Sequence, residues 1–441
     1  MSELPTSWTR AKIGDVVAFG RSKKAEPEDI PSDAWMLELE DVERDTSTLL
    51  IRVSAGQRNS KSTKNVFKRG DVLYGKLRPY LNKVLLATED GFCSTEIVPL
   101  HAEGAVDQRY LFHWLKSPEF LAYVTAASHG MNMPRLGTEA GNAAPFVIAP
   151  LCEQARIADK LDKLLARVDA CRDRLDRLTV LLKSFRRAVL HAATTGGLTE
   201  DWRTANGGSN SRIVRLREVA GGFGYGTAAK SSPSGTTPVL RMGNIQNGTL
   251  DWTDLVFTSD TDEITKYALS DGDVLFNRTN SPELVGKTAV FRGERLAVFA
   301  GYLVRARCGS ELLPDFLNHC LGSPAGRDYC RRVKSDGVSQ SNINAQKLAN
   351  FEFLLPSIPE QREILRRVAN LHRAADALDC HLRAALRAAV ATERSCLAKA
   401  FRGDLVPQDP ADEPAELMLE RLRATEAPEA SARRRRRPAT A

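Results

Sequence analysis

The sequence has no long apolar run: no stretch approaches the roughly 20 apolar residues of a membrane-spanning helix. Its first residues, "MSELPTSWTR", lack a basic segment followed by an apolar core, so we expect no secretory signal. The eight cysteines form no CxxC pair and have no His at zinc-finger spacing. We therefore expect reduced thiols in a cytoplasmic protein that has no membrane partner.

The motifs of common enzyme classes are also missing. There is no GxxxxGK[ST] segment for phosphates, no HExxH segment for zinc, and no Asn/Asp-Pro-Pro-aromatic segment of the kind used by amino-methyltransferases. The segment "GGFGYG" at 221–226 lacks GxGxxG spacing and predicts a turn-rich loop rather than a cofactor cradle. The seven histidines are isolated. We therefore predict no catalytic residues, no metal and no cofactor in this chain, and a binding function.

Charge is present but unevenly distributed. The net charge of +7 is mild for 441 residues. From Arg52 to Lys83, however, nine basic residues stand against one acid. This excess favours contact with a polyanion over a merely solvated surface. The matching block from Asp254 to Lys287 holds seven acids against three bases, so it does not predict a phosphate-binding face.

The chain contains an internal duplication. "GDVLYGKLRP" at Gly70 matches "GDVLFNRTNSP" at Gly272 with an offset of 202 residues. The pairs of residues Glu-Gln at Glu153 and Glu360 are 207 residues apart, and the offset stays constant through the helical segments that follow them. Each copy thus consists of a mixed domain of about 150 residues, a helix of about 40 and a Gly-containing exit.

The helical segments carry apolar residues at alternating spacings of four and three, which is typical of a coiled-coil seam. Because the two copies are related by duplication, we expect the helices to pack antiparallel about a pseudo-two-fold axis, in a nearly circular organisation. The predicted fold class is α+β, with two similar domains separated by two long helices. The predicted seam residues are Ile157, Leu161, Leu164, Val168, Leu175, Leu178, Leu182, Ile364, Val368, Leu371, Leu378 and Leu382.

Polar residues in the loops of the mixed domains suit nucleic-acid binding. Lysine and arginine contact phosphates, arginine can grip a guanine edge, and amides suit adenine. Each of them could equally be an ordinary surface residue. In the first domain the candidates are Lys61, Lys64, Lys76, Arg78, Asn82, Lys83, Asn132 and Arg135. In the second they are Arg278, Asn280, Lys287, Arg331, Arg332, Lys334, Gln340 and Asn342.

Several segments carry a resemblance to a known family: "PLCEQARIADKLDKLLARVDA", "GDVLFNRTNSPELVGKTAVF", "LPSIPEQREIL" and "AFRGDLVPQDPADEPAELMLERLRA". They resemble the specificity subunit, HsdS, of type I restriction–modification systems, over almost the whole chain. The five-arginine tail at 433–437 is not part of that family's pattern.

The resemblance implies target-recognition domains at 1–150 and 195–356, long helices at 151–194 and 357–402, and a C-terminal segment at 403–424 that docks near the first domain. The run of five arginines, with no apolar residue nearby, separately predicts a disordered basic tail at 425–441. It further implies double-stranded DNA and two modification (methyltransferase) subunits as partners. S-adenosylmethionine would bind to those subunits, and ATP with magnesium to restriction subunits where these are present.

Two alternatives from other classes remain open at this point. The chain could be a coiled-coil scaffold without a nucleic-acid role, or a fused DNA-modifying enzyme with unrecognised catalytic motifs. Salt-dependent DNA binding would distinguish a specificity subunit from a scaffold without a nucleic-acid role. Binding of S-adenosylmethionine by the chain alone separates the second.

Overall fold

The fold is described from a computed structural model that covers residues 4–102, 104, 106–130, 132–207, 211–338 and 340–424. The predicted basic tail at 425–441 lies outside the described residues. The chain divides into two compact units. The first unit comprises the described residues up to Arg174 and those from Ala385 onward, and the second unit is Leu175–Ala384.

The mixed domain of the first unit contains short strands and helices, as the alternating β-rich runs and turn signals predict. The strands are β1 (Thr9–Lys12), β2 (Lys24–Ala25), β3 (Trp35–Leu37), β4 (Lys64–Phe67), β5 (Val72–Gly75), β6 (Val84–Leu86), β7 (Gly91–Cys93), β8 (Ile97–Leu100) and β9 (Pro145–Ile148). The helices are α1 (Ala55–Arg58), α2 (Gln108–Leu115), α3 (Pro118–Ala127) and α4 (Thr138–Ala143), and the first long helix, α5 (Leu151–Thr194), follows β9.

The second unit repeats this plan after the exit of α5. Its helices are α6 (Glu200–Ala205), α7 (Leu216–Val219), α8 (Thr261–Tyr267), α9 (Pro314–Gly322), α10 (Pro324–Val333) and α11 (Ala345–Ala349). The second long helix, α12 (Ile358–Ala400), begins in this unit, and its residues from Ala385 onward belong to the first. Its strands are β10 (Arg212–Arg215), β11 (Ala220–Tyr225), β12 (Thr237–Leu240), β13 (Ile245–Gln246), β14 (Thr249–Leu250), β15 (Val256–Thr258), β16 (Val274–Asn277), β17 (Thr279–Asn280), β18 (Thr288–Val290), β19 (Val298–Phe299), β20 (Leu303–Cys308), β21 (Ser335–Asp336), β22 (Ser341–Asn342) and β23 (Glu352–Leu355).

The sheets are small and mostly antiparallel. The first unit has sheets ordered β1-β9, β2-β4-β7-β3 and β6-β5-β8. The second has β10-β23, β11-β20-β16-β18, β15-β12-β19, β13-β14 and β17-β22-β21. In each unit the strand that enters the domain pairs with the strand that leads into a long helix, Thr9 opposite Ile148 and Arg212 opposite Leu355. This closes each domain at the base of its own helix.

The segment "GGFGYG" corrects a prediction. It belongs to β11, at the edge of the four-stranded sheet, rather than to a turn-rich loop. Small residues weaken a strand, and the register shifts between Ala220 and Gly222, where the backbone has a φ of 142° that favours glycine. The edge position tolerates that irregularity and leaves the side chain of Tyr225 exposed.

The two long helices pack antiparallel within each unit. In the first, Ile157 and Leu161 of α5 share a buried core with Leu397 of α12, and farther along Arg172 pairs with Glu393 at 2.9 Å. In the second, the core holds Val189, Ala193, Ile364 and Val368, and Arg186 pairs with Asp376 at 2.8 Å. In both units, residue numbers rise along one helix as they fall along the other. The predicted α+β fold with an antiparallel helix pair is confirmed.

The seam differs from the predicted one at several positions. Ile157, Leu161, Ile364 and Val368 are buried. Leu164, Val168, Leu175, Leu182, Leu371 and Leu382 are half-buried. Leu178 and Leu378, by contrast, are 46% and 55% exposed, so their placement in the seam was wrong.

The shift arises at the start of α5. The first turns pack against the core of the first domain through Ile157, Leu161 and Leu165, at spacings of four and four instead of the predicted four and three. Farther along α5, the half-buried side chains include Arg172 and Thr179. Thr179 takes the place of Leu178, the predicted seam residue one position earlier. A strict heptad pattern therefore assigns some residues to the contact between the helices that lie outside it in the structure.

The duplicated Glu-Gln pairs fasten each domain to its helix. In the first unit Gln154 accepts a hydrogen bond from Asp107 N (2.9 Å), and Glu153 accepts one from Trp8 Nε1 (2.9 Å) and one from Gln408 Nε2 (2.7 Å). Burial raises the pKa of Glu153.

The second unit repeats the arrangement. Gln361 accepts from Leu313 N (2.9 Å), and Glu360 accepts from Thr199 Oγ1 (2.8 Å) and Arg203 Nη1 (2.7 Å). In both units the glutamate meets the segment that leaves a long helix, and the glutamine meets the domain.

The C-terminal segment lies against the start of the chain. Asp412 pairs with Arg156, and Ala415 N donates to Ser7 O at 3.0 Å. A helix at 415–424 places Met418 and Leu419 in the core of the first unit. Phe401, just after α12, contacts the rings of Tyr110 and Trp114 edge-on in the same core. Two distant parts of the chain thus complete one core.

Candidate nucleic-acid interface

In the first unit the loop that follows β5 is joined to a hairpin that follows α3. Arg78 N donates to Pro134 O at 2.7 Å, and Leu136 N donates to Lys76 O at 3.0 Å. The hairpin closes on itself through two backbone bonds between His129 and Arg135. Four predicted residues, Lys76, Arg78, Asn132 and Arg135, are thereby brought to one surface.

The backbone at this surface is constrained. Arg78 has a φ of 50°, in the left-handed region that bulky residues rarely adopt, and Asn82 has a φ of 48°. Such conformations cost on the order of 1–3 kcal/mol and occur mainly where the surrounding structure holds them for a function. The 3₁₀ turn between these two residues, Pro79–Leu81, supplies that support and exposes Tyr80.

The charges of the basic block do not form one positive face. Lys64 is buried and pairs with Glu38 at 2.8 Å, so it is unavailable to a phosphate. Lys83 donates to Leu39 O at 2.7 Å. Lys68 pairs with Asp90 at 2.7 Å.

Other basic residues of the block are also paired, Arg52 with Glu89 at 2.5 Å and Arg58 with Glu40 at 2.8 Å. Folding brings acids from outside the block to it. The prediction for Lys64 was therefore wrong, because the net charge of a sequence block ignores partners from elsewhere in the chain.

Two further predicted residues of the first unit are less available to DNA than the sequence predicts. Asn82 is buried, so its amide is not presented at the surface. Arg135 is exposed but its Nε lies 3.1 Å from Glu96 Oε2, and Lys76 N donates to the Glu96 carbonyl. Lys61, Arg78 and Asn132 are exposed. Apart from Arg135 with its carboxylate partner, the exposed polar side chains near the hairpin are Arg78 and Asn132, and Tyr80 and Met133 are exposed beside them.

The second unit builds an equivalent surface from the loop after β16 and the β21–β22 hairpin. Ile343 N donates to Arg278 O at 2.8 Å, and Thr279 and Asn280 pair with Asn342 and Ser341 in the ladder. Asn342 Oδ1 accepts from Arg278 Nη2 at 3.3 Å, and its Nδ2 donates to Thr279 Oγ1 at 2.7 Å. The loop and the hairpin are therefore joined by side chains as well as by backbone.

The other predicted residues of the second unit are more scattered. Lys287 donates to Gln246 Oε1 at 3.2 Å on a neighbouring strand. Arg331, Arg332 and Lys334 lie at the end of α10 or just after it, where Arg331 pairs with Asp328 and Lys334 with Asp336. Gln340 is exposed on the hairpin.

Sequence reasoning missed two aromatic residues at this surface. Tyr225 and Tyr302 are 45% and 50% exposed, and the Arg278 guanidinium lies 4.8 Å from the centre of the Tyr225 ring. Arg278 N also donates to Tyr302 O at 3.0 Å. For Tyr225 the available signal was the pair of aromatic residues among the glycines of "GGFGYG", a segment that was interpreted only as a loop.

The described residues show no sign of a metal site, a disulfide or a membrane-spanning helix. No group of His, Cys, Asp or Glu within them has the arrangement of a metal site. The eight cysteines are free. His319 and His372 have ring centres 6.3 Å apart, and burial lowers the pKa of His319 to about 4. No described helix combines the length and the apolar character needed to cross a membrane.

Comparison with known proteins identifies relatives over most of the chain, although no family model matches it. The chain is 31% identical over 342 residues to the specificity subunit of the type I restriction enzyme EcoKI from Escherichia coli K12, covering 74% of each chain. It is 30% identical over 341 residues to the StySPI specificity subunit from Salmonella potsdam, again covering 74% of each.

Solved structures share the fold. One is a chain from work on complex assembly and conformational transition of the type I R-M system, with a TM-score of 0.73 and 21% identity over 92% of this chain and 100% of that one. Another is the HsdS subunit from Thermoanaerobacter tengcongensis, with a TM-score of 0.54 and 20% identity over 91% and 98%. Taken with the sequence relatives, this shows that the chain belongs to the specificity subunits of type I restriction enzymes.

Proposed function

We propose that this chain recognises the DNA sequence for a type I restriction–modification complex. Each sheet-rich domain would read one half of a bipartite, asymmetric site in double-stranded DNA. The chain itself would catalyse nothing and bind no cofactor, and it would act in the cytoplasm. Adenine methylation would be performed by two modification subunits that carry S-adenosylmethionine, and cleavage by ATP- and magnesium-dependent restriction subunits where these are present.

One observation carries this proposal: the same construction recurs in both domains with different polar side chains. In each, the loop after a central strand is hydrogen-bonded to a hairpin that follows a helix. The first domain presents Arg78 and Asn132 there, and the second presents Arg278, Asn280 and Gln340. A shared frame that carries different polar groups suits two unlike half-sites, because phosphate contacts position a protein and base contacts specify the sequence.

The docking of modification subunits is supported by an apolar stripe on α5. Leu178, Leu181 and Phe185 are exposed and lie at spacings of three and four, so they share one face of the helix. Cys171, one heptad before Leu178, is exposed on the same face. A helix face in water is normally polar, and an apolar stripe at this spacing suits packing against a partner helix. We assign this stripe to a modification subunit.

The two alternative functions predict different results. A scaffold would show no salt-dependent DNA binding, and a fused enzyme would bind S-adenosylmethionine or modify DNA as a purified chain. The proposal predicts that methylation of a bipartite site requires the chain and the modification subunits together. It would be refuted if the modification subunits methylated the same site without the chain.

The stripe can be tested separately. Substituting Leu181→Glu should abolish co-purification of a modification subunit, because a buried charge opposite an apolar helix is strongly disfavoured. Val180→Glu is the matched control, since Val180 is equally exposed but points to a different side of the helix. Equal retention of the modification subunit by both variants would refute the assignment.

A further inference from the structure

The backbone of Arg278 is fixed on both sides. Its N–H donates to Tyr302 O at 3.0 Å, and its carbonyl accepts from Ile343 N at 2.8 Å. The next two residues continue as β17 in the sheet with the hairpin strand β22. Arg278 therefore leaves the sheet at a defined position, unlike an arginine on a free loop.

The side chain of Arg278 is also fixed, and by neutral groups. The Tyr225 ring lies under the guanidinium at 4.8 Å, Asn342 Oδ1 accepts from Nη2 at 3.3 Å, and Gly301 O accepts from Nη1 at 3.5 Å. Tyr225 is itself held, because its hydroxyl oxygen accepts a hydrogen bond from Ala345 N at 3.0 Å. A guanidinium that stacks on an aromatic ring and donates hydrogen bonds from its planar fork is held in one orientation.

The positive charge of Arg278 is not matched by a carboxylate among the described ion pairs, whereas Lys334 beside the hairpin pairs with Asp336. The nearby Asp336 accepts from Lys334 at 2.6 Å and from Ser341. Asn342 uses its amide on Arg278 and Thr279, so it is engaged as a support and not as a reader of adenine. The half-buried charge is thus available to an acceptor from outside the protein.

Two acceptor pairs in DNA fit such a fork, the O6 and N7 atoms of guanine and the oxygens of a phosphate. Contacts that only position the protein on phosphates tolerate flexible side chains. A guanidinium oriented by an aromatic ring and an amide favours the bidentate geometry of the guanine edge. The flanking Tyr225 and Tyr302 are exposed, so the surface around the fork is open.

We propose that Arg278 reads a guanine in the half-site of the second domain, and that Tyr225 and Asn342 are positioning residues that orient its guanidinium. This inference rests on the proposed function. It differs from the sequence-based prediction in giving Asn342 a supporting role and in adding Tyr225.

The test is selection of bound sequences from a randomised DNA pool by the full chain in complex with its modification subunits. Arg278→Lys keeps the charge but removes the bidentate fork. It should lower the preference for one G·C pair by on the order of tenfold to a hundredfold, while the half-site of the first domain is unchanged. Tyr225→Leu should relax the same position, and Tyr225→Phe, which keeps the ring, should restore most of the preference. Arg217→Ala, an exposed arginine of the same unit, is the control and should change nothing.

The possible outcomes are separable. If Arg278→Lys retains the full preference at every position, the inference is wrong. If Arg278→Ala instead weakens binding uniformly and lowers the salt dependence by about one phosphate contact, Arg278 binds a phosphate and the guanine assignment is wrong. If the wild-type complex selects no bipartite sequence at all, the proposed function itself fails. A retained preference at the half-site of the first domain shows that each variant is folded. The result for Arg278→Lys tests the guanine assignment even if Tyr225→Leu fails to fold.

Discussion

Two ion pairs between the long helices differ sharply in burial and should therefore differ in their contribution to stability. Glu393 has a side chain only 15% exposed and lies 2.9 Å from Arg172 and 3.8 Å from Lys116, which is almost completely buried. Asp376 is 66% exposed and lies 2.8 Å from Arg186. The substitutions Glu393→Gln and Asp376→Asn remove one negative charge each with little change in shape, so burial is the main variable between them.

The magnitudes follow from what each substitution leaves behind. Without Glu393, Lys116 and Arg172 lose a buried counter-charge, and breaking a buried pair in this way costs about 3–5 kcal/mol. Burial already lowers the pKa of Lys116, so its charged form is less favoured there even with Glu393 present. The exposed pair of Asp376 contributes about 0–1 kcal/mol, because solvent screens it.

The assay is thermal and urea unfolding of the full chain, followed by fluorescence and by circular dichroism. For a unit of this size, 1 kcal/mol corresponds to roughly 2–4 °C in Tm. We therefore expect Glu393→Gln to lower the Tm of the first unit by about 6–20 °C, and Asp376→Asn to shift the second unit by less than about 4 °C. Equal shifts for the two variants would refute the reasoning from burial.

Three further predictions follow from the described contacts. Burial raises the pKa of Glu153 above its unfolded value, so its ionisation opposes folding. The stability that the protonated form contributes below the unfolded pKa is lost as pH rises through the folded pKa, so wild type should lose stability relative to Glu153→Gln in unfolding assays as pH rises above the ordinary glutamate pKa. The double substitution of Lys76 and Arg78 by Ala should weaken DNA binding at all sequences and lower the salt slope by about two, as measured by titration at several salt concentrations; an unchanged slope would exclude both as phosphate contacts. One heptad inserted into both α5 and α12 should lengthen the spacer between the half-sites and leave each half-site unchanged in methylation maps, whereas altered half-sites with a fixed spacer would contradict the role of the helices.

Much of the architecture could be predicted from the sequence because it is written in local patterns. The repeat offsets indicated two similar units, and the apolar spacing indicated the long helices, observed at Leu151–Thr194 and Ile358–Ala400 against predictions of 151–194 and 357–402. The family resemblance, confirmed by the relatives, rests on the same segments. The seam was only partly predictable. The heptad pattern placed Leu178 and Leu378 in the seam, and it carries no information about the packing of the first turns of α5 against a domain core.

The candidate interface was less predictable because it depends on pairs that are distant in the sequence. From the sequence, Lys64 was predicted to be a cation available to DNA. In the structure it pairs with Glu38. From the sequence, Asn342 was predicted to bind adenine through its amide. In the structure the hairpin places that amide against Arg278, 64 residues away in the sequence. Tyr225 carried no motif, and its role follows only from its place beneath that guanidinium. Composition indicates the class of partner, whereas contacts across the fold decide which groups remain available to meet it.

The most direct test of the proposed function is a map of methylated adenines in DNA from cells that express the chain with its modification subunits. Division of recognition between two unlike domains predicts two short specific blocks, different in sequence and separated by a spacer of fixed length. Substitutions in the first domain should change one block only, and substitutions in the second domain the other. A single contiguous site, or one in which a substitution in either domain alters both blocks, would contradict the account.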